Sequence, residues 1–188
     1  MSNNVPNKQD VLMQSLTTFF ENNDNIHKML PIIHGNSKIS LRIIDWFVTN
    51  YAKKNNTRLC ADGTKSDNIK EFLVFLNYKS QLKAYTKKQF DPFCRRERLN
   101  FYYDSDDSSK YIETTVGQLN FFRWSIKHHV LEYISTNLGD IETDMNTSIH
   151  KVYSKKDSNG KRRKRQELSK SATKTVNKHL VNITVHFE

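Results

Sequence analysis

Cysteine, proline and glycine are all scarce, at 2, 3 and 5 of 188 residues. The two cysteines, Cys60 and Cys94, stand 34 residues apart and form no CxxC pair. That excludes a disulfide scaffold, and two free thiols in a reducing compartment are the plain reading. So few glycines exclude a collagen-like chain. Long hydrophobic runs are missing too. No stretch approaches the ~18 apolar residues of a membrane-crossing helix. Residues 1–8 have no apolar stretch behind a basic start and neither end carries a lipidation motif, so no secretory leader and no membrane partner are expected. The apolar share, 36%, is below the usual ~45–50%. Aromatics, at 11%, are too many for a chain disordered throughout. These absences leave one compact domain with polar, solvated ends.

Negative charge is also in short supply. There are 30 Lys and Arg against 20 Asp and Glu, a formal charge of +10. The imbalance is local. Residues 151–178 hold 11 basic and two acidic side chains, a net of +9, whereas residues 1–150 hold 19 and 17, a net of +2. Lys and Asn are abundant while Ala and Gly are few, a usage that fits an AT-rich genome.

Apolar spacing divides the chain into elements. Residues 1–8 read as disordered. Val11, Leu12, Leu16, Phe19 and Phe20 recur at helical spacing. A short apolar segment, Ile26 to Ile33, is expected to break at Pro31 and end at Gly35. The clearest helix covers 38–54, with Ser37 or Ser40 as N-cap and an apolar surface too wide for a peripheral position. Residues 57–61 suit a short strand. Phe72 to Leu76 is too continuous to show a period, and its aromatic and β-branched content leans towards a buried strand. Tyr78 to Lys88 reads as helix. From Arg96 the residues alternate, with Arg96, Arg98, Asn100 and Tyr102 on one side and Leu99, Phe101 and Tyr103 on the other. With Glu97 also on the second side, that predicts a half-buried strand with a basic outer face, partnered by Tyr111 to Thr114. Thr115 and Gln118 have capping-box spacing at the head of a helix over 115–136. Val181, Ile183, Val185 and Phe187 alternate with polar residues as a terminal strand would.

Three segments carry a resemblance. They are Ser37-Lys38-Ile39-Ser40-Leu41-Arg42-Ile43-Ile44-Asp45-Trp46-Phe47-Val48-Thr49-Asn50-Tyr51, then Tyr78 to Tyr85 continuing through Phe90-Asp91-Pro92-Phe93-Cys94-Arg95-Arg96-Glu97-Arg98, then Thr114 to Trp124. In order and over roughly residues 26–135 they resemble a family of small proteins encoded by nucleocytoplasmic large DNA viruses, of the mimivirus and phycodnavirus kind. The resemblance implies a viral setting, either a cytoplasmic factory or a virion. It carries over no catalytic residue.

Two groups of cations could bind phosphate. Lys161, Arg162, Arg163, Lys164 and Arg165 are consecutive. Such a run attracts a phosphate backbone by counterion release without reading sequence. It also has the form of a nuclear-import signal. The plainer reading is a solvated linker. The second group lies within Lys79 to Arg98, where Lys79, Lys83, Lys87, Lys88, Arg95, Arg96 and Arg98 stand against Asp91 and Glu97, interleaved with Tyr78, Tyr85, Phe90 and Phe93. Lys83 and Lys87, one helical turn apart, are expected to share a face. Cations beside aromatics suit single-strand binding; the plainer reading places the aromatics in the core.

Catalytic and metal chemistry have little to stand on. No HExxH, phosphate loop or GxSxG elbow occurs. His128 and Glu132 resemble half a metal site, but zinc needs three or four ligands, so no metal or cofactor is expected. His128 is placed on a helix flank and His129 near its buried edge. Asp45, within an apolar helix, is expected to pair with Arg42 or Arg123.

The expected fold is α+β, with two main helices on a small, mostly antiparallel sheet. The domain spans 9–139, a polar and then strongly basic flexible segment spans 140–178, and a strand over 179–188 docks back. The leading functional expectation is a non-enzymatic viral protein that binds DNA or RNA through phosphate contacts at 161–165, 95–98, Lys83 and Lys87. The second is a virion or factory module for a viral or host protein, presenting Trp46 or Trp124. The third is an enzyme whose pocket gathers Arg96, Glu97, His128 and Asp45. The setting would be host cytoplasm or virion, with the nucleus as a further option.

Overall fold

The computed structural model describes residues 7–60, 71–104, 107 and 109–154, with side chains through residue 149. The terminal strand over 179–188 and the cation run Lys161–Arg165 lie outside the described residues. The architecture is α+β. Helices form the body, and the strands make two separate antiparallel ribbons rather than the single small sheet expected.

Helix α1 (Lys8–Phe20) starts earlier than the sequence suggested. Asn7 Oδ1 accepts from the amides of Gln9 at 2.7 Å and Asp10 at 3.1 Å, and Asp10 Oδ2 accepts from the Asn7 amide at 3.1 Å. This reciprocal cap orders Asn7 and Lys8, two residues assigned above to a disordered end. Leu12, Leu16 and Phe20, four apart, form the buried face. Helix α2 (Asn23–Ile33) runs through Pro31 instead of breaking there. Pro31 sits in the last turn, and Gly35, at φ 76°, supplies the left-handed residue that ends the segment.

The central helix begins at Ser40, whose Oγ accepts from the Ile43 amide at 3.3 Å. It comprises α3 (Leu41–Trp46), a π-helical turn (Phe47–Tyr51) and α4 (Ala52–Lys54). The Thr49 hydroxyl donates to the Asp45 carbonyl at 2.6 Å within the π-bulged stretch. Ribbon β1 (Arg58–Cys60) and β2 (Glu71–Leu73) pairs Leu59 with Phe72. The strand expected over 72–76 stops at Leu73, and Val74 opens α5 (Val74–Gln89). Val74 and Tyr78 are buried, and Leu82 and Tyr85 pack on the core. The helical period was hidden because Phe75 and Leu76 fill the other side, Leu76 in solvent.

The second ribbon, β3 (Leu99–Tyr102) and β4 (Tyr111–Thr114), pairs Phe101 with Ile112 inward. Its strand begins at Leu99, not Arg96, because Glu97 turns the chain at φ 56°. Helix α6 (Val116–Lys127) is buried nearly all round. The expected continuous helix over 115–136 breaks at His129, which takes a left-handed φ of 54° before α7 (Val130–Thr136). Helix α8 (Leu138–Ser154) replaces the start of the segment expected to be flexible from 140. Ile141 and Met145 enter the core. Trp46 Nε1 donates to Asp144 Oδ2 at 3.0 Å, and Lys54 pairs with the other oxygen of that carboxylate. The folded body therefore extends beyond residue 139.

The break after α6 explains the histidines. His128, not His129, is the inward one. Its ring lies 4.8 Å from Phe72 and 6.0 Å from Trp124, centroid to centroid, while His129 is exposed. Burial, with smaller contributions from Lys127 and His129, holds the His128 imidazole below its ordinary 6.5. An unfolded chain binds this proton near 6.5 and the folded one only at lower pH. Stability is thus full above about pH 6.5 and declines as pH falls through the folded value. Burial acts in the opposite sense at Asp91, whose carboxyl is raised. A His128→Phe variant isolates the histidine. Its denaturation midpoint should fall less than that of the wild type between pH 7.5 and pH 5, and parallel curves would refute the assignment.

Candidate functional site: a basic concavity

The segment from Thr86 to Glu97 is shaped by two backbone kinks and a set of side-chain ties. Thr86, at φ 64° and ψ 166°, interrupts α5 in a region that essentially only glycine occupies at low cost. Helical phase is lost there, so Lys83 and Lys87 do not share a face as expected. Beyond the kink the chain is fastened to the first turns of α6. Asn120 Nδ2 donates to the Gln89 carbonyl at 2.8 Å, and the Asp91 amide donates to the Gly117 carbonyl at 3.2 Å. Gln118 Nε2 donates to the Pro92 carbonyl at 2.9 Å, and the Thr115 hydroxyl donates to the Cys94 carbonyl at 3.3 Å. Thr115 also caps the helix by accepting from the Gln118 amide at 3.2 Å. The expected capping box is therefore half used: the Gln118 side chain reaches the loop and accepts from the Thr114 hydroxyl at 2.9 Å.

Inside the loop, Asp91 Oδ1 accepts from the Phe93 amide at 2.9 Å, and the Cys94 amide donates to the Asp91 carbonyl at 3.1 Å. Burial raises the Asp91 carboxyl, opposed by the Phe93 amide and by Lys87. Phe90 is fully buried, with ring centroids 5.4 Å from Phe121, 5.8 Å from Trp124 and 6.0 Å from Tyr78. One core aromatic thus anchors the whole segment.

These ties shape a concavity of about 410 Å³ lined by Lys87, Lys88, Asp91, Phe93, Cys94, Arg95, Arg96 and Glu97. The four cations are exposed. Among the described residues none of them is held in an ion pair, whereas Arg98 Nη1 pairs with Glu113 Oε2 at 2.8 Å. Three sequence candidates, Lys87, Arg95 and Arg96, therefore converge. Lys83 is exposed on α5 before the kink and does not line the concavity, nor does Arg98. Lys161, Arg162, Arg163, Lys164 and Arg165 lie outside the described residues. Lys88 and Asp91 belong to the same charged stretch read from the sequence, and Cys94 was read there only as a free thiol. The sequence reading missed that all three meet α6 at Gly117, an unfavourable residue in a helical first turn that marks a close backbone approach.

Other expectations need correction. Trp46 and Trp124 are 2% and 5% exposed, so neither offers the aromatic surface the interaction-module reading required. Their size makes them core, and their indole nitrogens are satisfied by Asp144 and, at 2.7 Å, by Asn77 Oδ1. The enzyme reading grouped Arg96 and Glu97 with His128 and Asp45. The first two line the concavity, but His128 packs on Phe72 and Trp124, and Asp45 is buried on α3. Arg123 donates to Ser15 Oγ at 2.8 Å and to Asn120 Oδ1 at 2.7 Å. Among the described residues no three His, Cys, Asp or Glu side chains converge as a metal ion would need. No helix among them is long and apolar enough to cross a membrane.

The profile of a family of unknown function, DUF7197, matches residues 3–160, most of the chain. The chain belongs to that family. Family membership covers the concavity, α6 and the two ribbons together. The chain is also 37% identical over 169 residues to an uncharacterized protein of Acanthamoeba polyphaga mimivirus. The match takes in 89% of this chain and 63% of the relative, so the chain spans less than two thirds of that relative's length. No solved structure matches this chain.

Proposed function

We propose that the protein is a non-enzymatic nucleic-acid-binding protein of a large DNA virus, holding phosphates with little sequence preference. The observation that carries this reading is the convergence of Lys87, Lys88, Arg95 and Arg96, exposed and outside any ion pair among the described residues, around one concavity. Exposed cations attract a polyanion by releasing its counterions, and they carry no base information. The run Lys161–Arg165 adds five more cations to the same chemistry. The mimivirus relative supports a virus factory in host cytoplasm, or the virion, as the setting, and the cation run has the form of an import signal for the nucleus.

A salt titration of DNA and RNA binding tests this. Wild type is compared with a variant changing Lys87, Lys88, Arg95 and Arg96 to Gln, and with one changing Lys161–Arg165 to Gln. For duplex DNA each phosphate contact contributes about −0.9 to the slope of log K on log salt. The first variant should flatten the slope by about 3.6 units, from four lost contacts. A wild-type slope near zero would sink the proposal. Steep binding that only the second variant reduces would move the site to the run.

A further inference from the structure

We infer that the outward face of the β3–β4 ribbon is a base-stacking platform for single-stranded nucleic acid, with Tyr102 and Tyr111 as its stacking groups. This rests on the phosphate-binding reading of the neighbouring concavity and names the class of polymer that it takes.

Tyr102 and Tyr111 are direct cross-strand partners. Their rings are 5.6 Å apart, centroid to centroid, and tilted by 44°. They are 55% and 50% exposed, the only exposed Phe, Tyr or Trp residues among those described. A ribbon needs one buried face, and Phe101 with Ile112 supplies it. The tyrosines are therefore surplus to the core. A cross-strand aromatic pair steadies a ribbon, but that role does not require half of each residue to stay in water.

Charge is graded along this face. At the ribbon's root Arg98 meets Glu113, and Arg96 of the concavity is two residues upstream. At the tip Lys110 is held by Asp104 at 2.7 Å and Asp107 at 3.8 Å. Phosphates are thus drawn to the root and repelled from the tip, which leaves the bases, rather than the backbone, to lie on the tyrosines. Six residues separate Arg96 from Tyr102, a reach of at most about 20 Å along an extended chain, so a few nucleotides can touch both. Duplex bases are already stacked on one another and offer no free faces. Single strands do, and each base stacks on an aromatic ring whatever its identity.

The test uses the full chain, labelled oligo-dT, an abasic oligonucleotide with the same number of phosphates, and a duplex. The wild type should bind the abasic strand about a hundredfold more weakly than oligo-dT, roughly tenfold for each lost stack. This comparison is independent of any variant's folding. A double variant, Tyr102→Thr with Tyr111→Thr, keeps strand-forming residues and should lose about a hundredfold on oligo-dT while leaving duplex binding and the salt slope unchanged. Tyr102→Phe with Tyr111→Phe keeps the rings and should stay within about twofold of wild type, since stacking needs no hydroxyl. Equal wild-type affinity for oligo-dT and the abasic strand would overturn the platform while leaving the phosphate reading intact. So would a Thr variant that binds oligo-dT normally or loses duplex binding equally. Absence of binding to every one of these polymers would overturn both.

Discussion

Phe90→Ala is expected to cost about 3–5 kcal/mol of folding stability, the usual range for emptying a buried phenylalanine site. Phe90 is completely buried and touches Tyr78, Tyr85, Phe121 and Trp124. Four rings surround it, so collapse into the vacated space requires several side chains to leave their rotamers together. Against a total stability of about 5–15 kcal/mol for a domain, the variant sits near the edge of folding. Urea denaturation monitored by tryptophan fluorescence reads the shift directly, because Trp124 is one of the four neighbours. The backbone link adds a second expectation. Phe90 stands between Lys88 and Asp91 of the concavity, so the surviving folded fraction should bind nucleic acid more weakly although no cation has been removed. A loss below about 1 kcal/mol would contradict the packing, since that is the cost of removing a single core methylene rather than a whole ring.

Gly117→Ala should be the next most damaging change, for a different reason. A Cβ at this position would stand 2.8 Å from the Lys88 carbonyl oxygen, 3.3 Å from Cys94 Cβ and 3.4 Å from the Asp91 amide nitrogen. The first neighbour is backbone and cannot swing aside, so the 88–94 segment must move off α6. Overpacking of this kind costs about 1–3 kcal/mol, while alanine's better helix propensity returns about 1 kcal/mol at most. The net effect is destabilising, and Gly117→Val, bulkier still, should exceed it. The informative readout is the comparison with Gly139→Ala. Nothing lies within 4 Å of a Cβ there, so that helical substitution should be neutral or stabilising by up to about 1 kcal/mol. Equal losses at the two glycines would show that Gly117 is not a contact point.

Legibility in the sequence followed how each residue type reports on its surroundings. Periodic apolar residues were readable wherever one face is buried and the other wet, as in Leu12, Leu16 and Phe20 or in the alternation across Leu99–Tyr102. The pattern failed where a helix is apolar on both sides: Val74–Leu76 hid its period, and the strand reading was wrong beyond Leu73. Kinks at Thr86, Glu97 and His129 left no trace, because these residue types ordinarily avoid positive φ and are held there by tertiary ties. Charge clustering grouped Lys87, Arg95 and Arg96, which the fold gathers round the concavity. It grouped Lys83 and Arg98 with them, and their separation from the concavity follows from the Thr86 kink and the Glu113 partner. Tyr102 was assigned to the basic outer face, but its pairing with Tyr111 depends on register, which no local pattern supplies.

The stitching of residues 89–94 to α6 has a kinetic corollary. The amides of Asp91, Phe93 and Cys94 are held by the Gly117 carbonyl, the Asp91 carboxylate and the Asp91 carbonyl respectively, rather than by a helix or a sheet ladder. Such a unit can open by itself, at less free energy than the whole molecule. Deuterium uptake at these three positions then acts as a local clock for the concavity. An oligonucleotide present at a hundred times its dissociation constant would slow that clock about a hundredfold wherever opening requires release. Amides of the β1–β2 ribbon, opening on their own, would keep their pace, so the footprint of a bound strand could be drawn residue by residue.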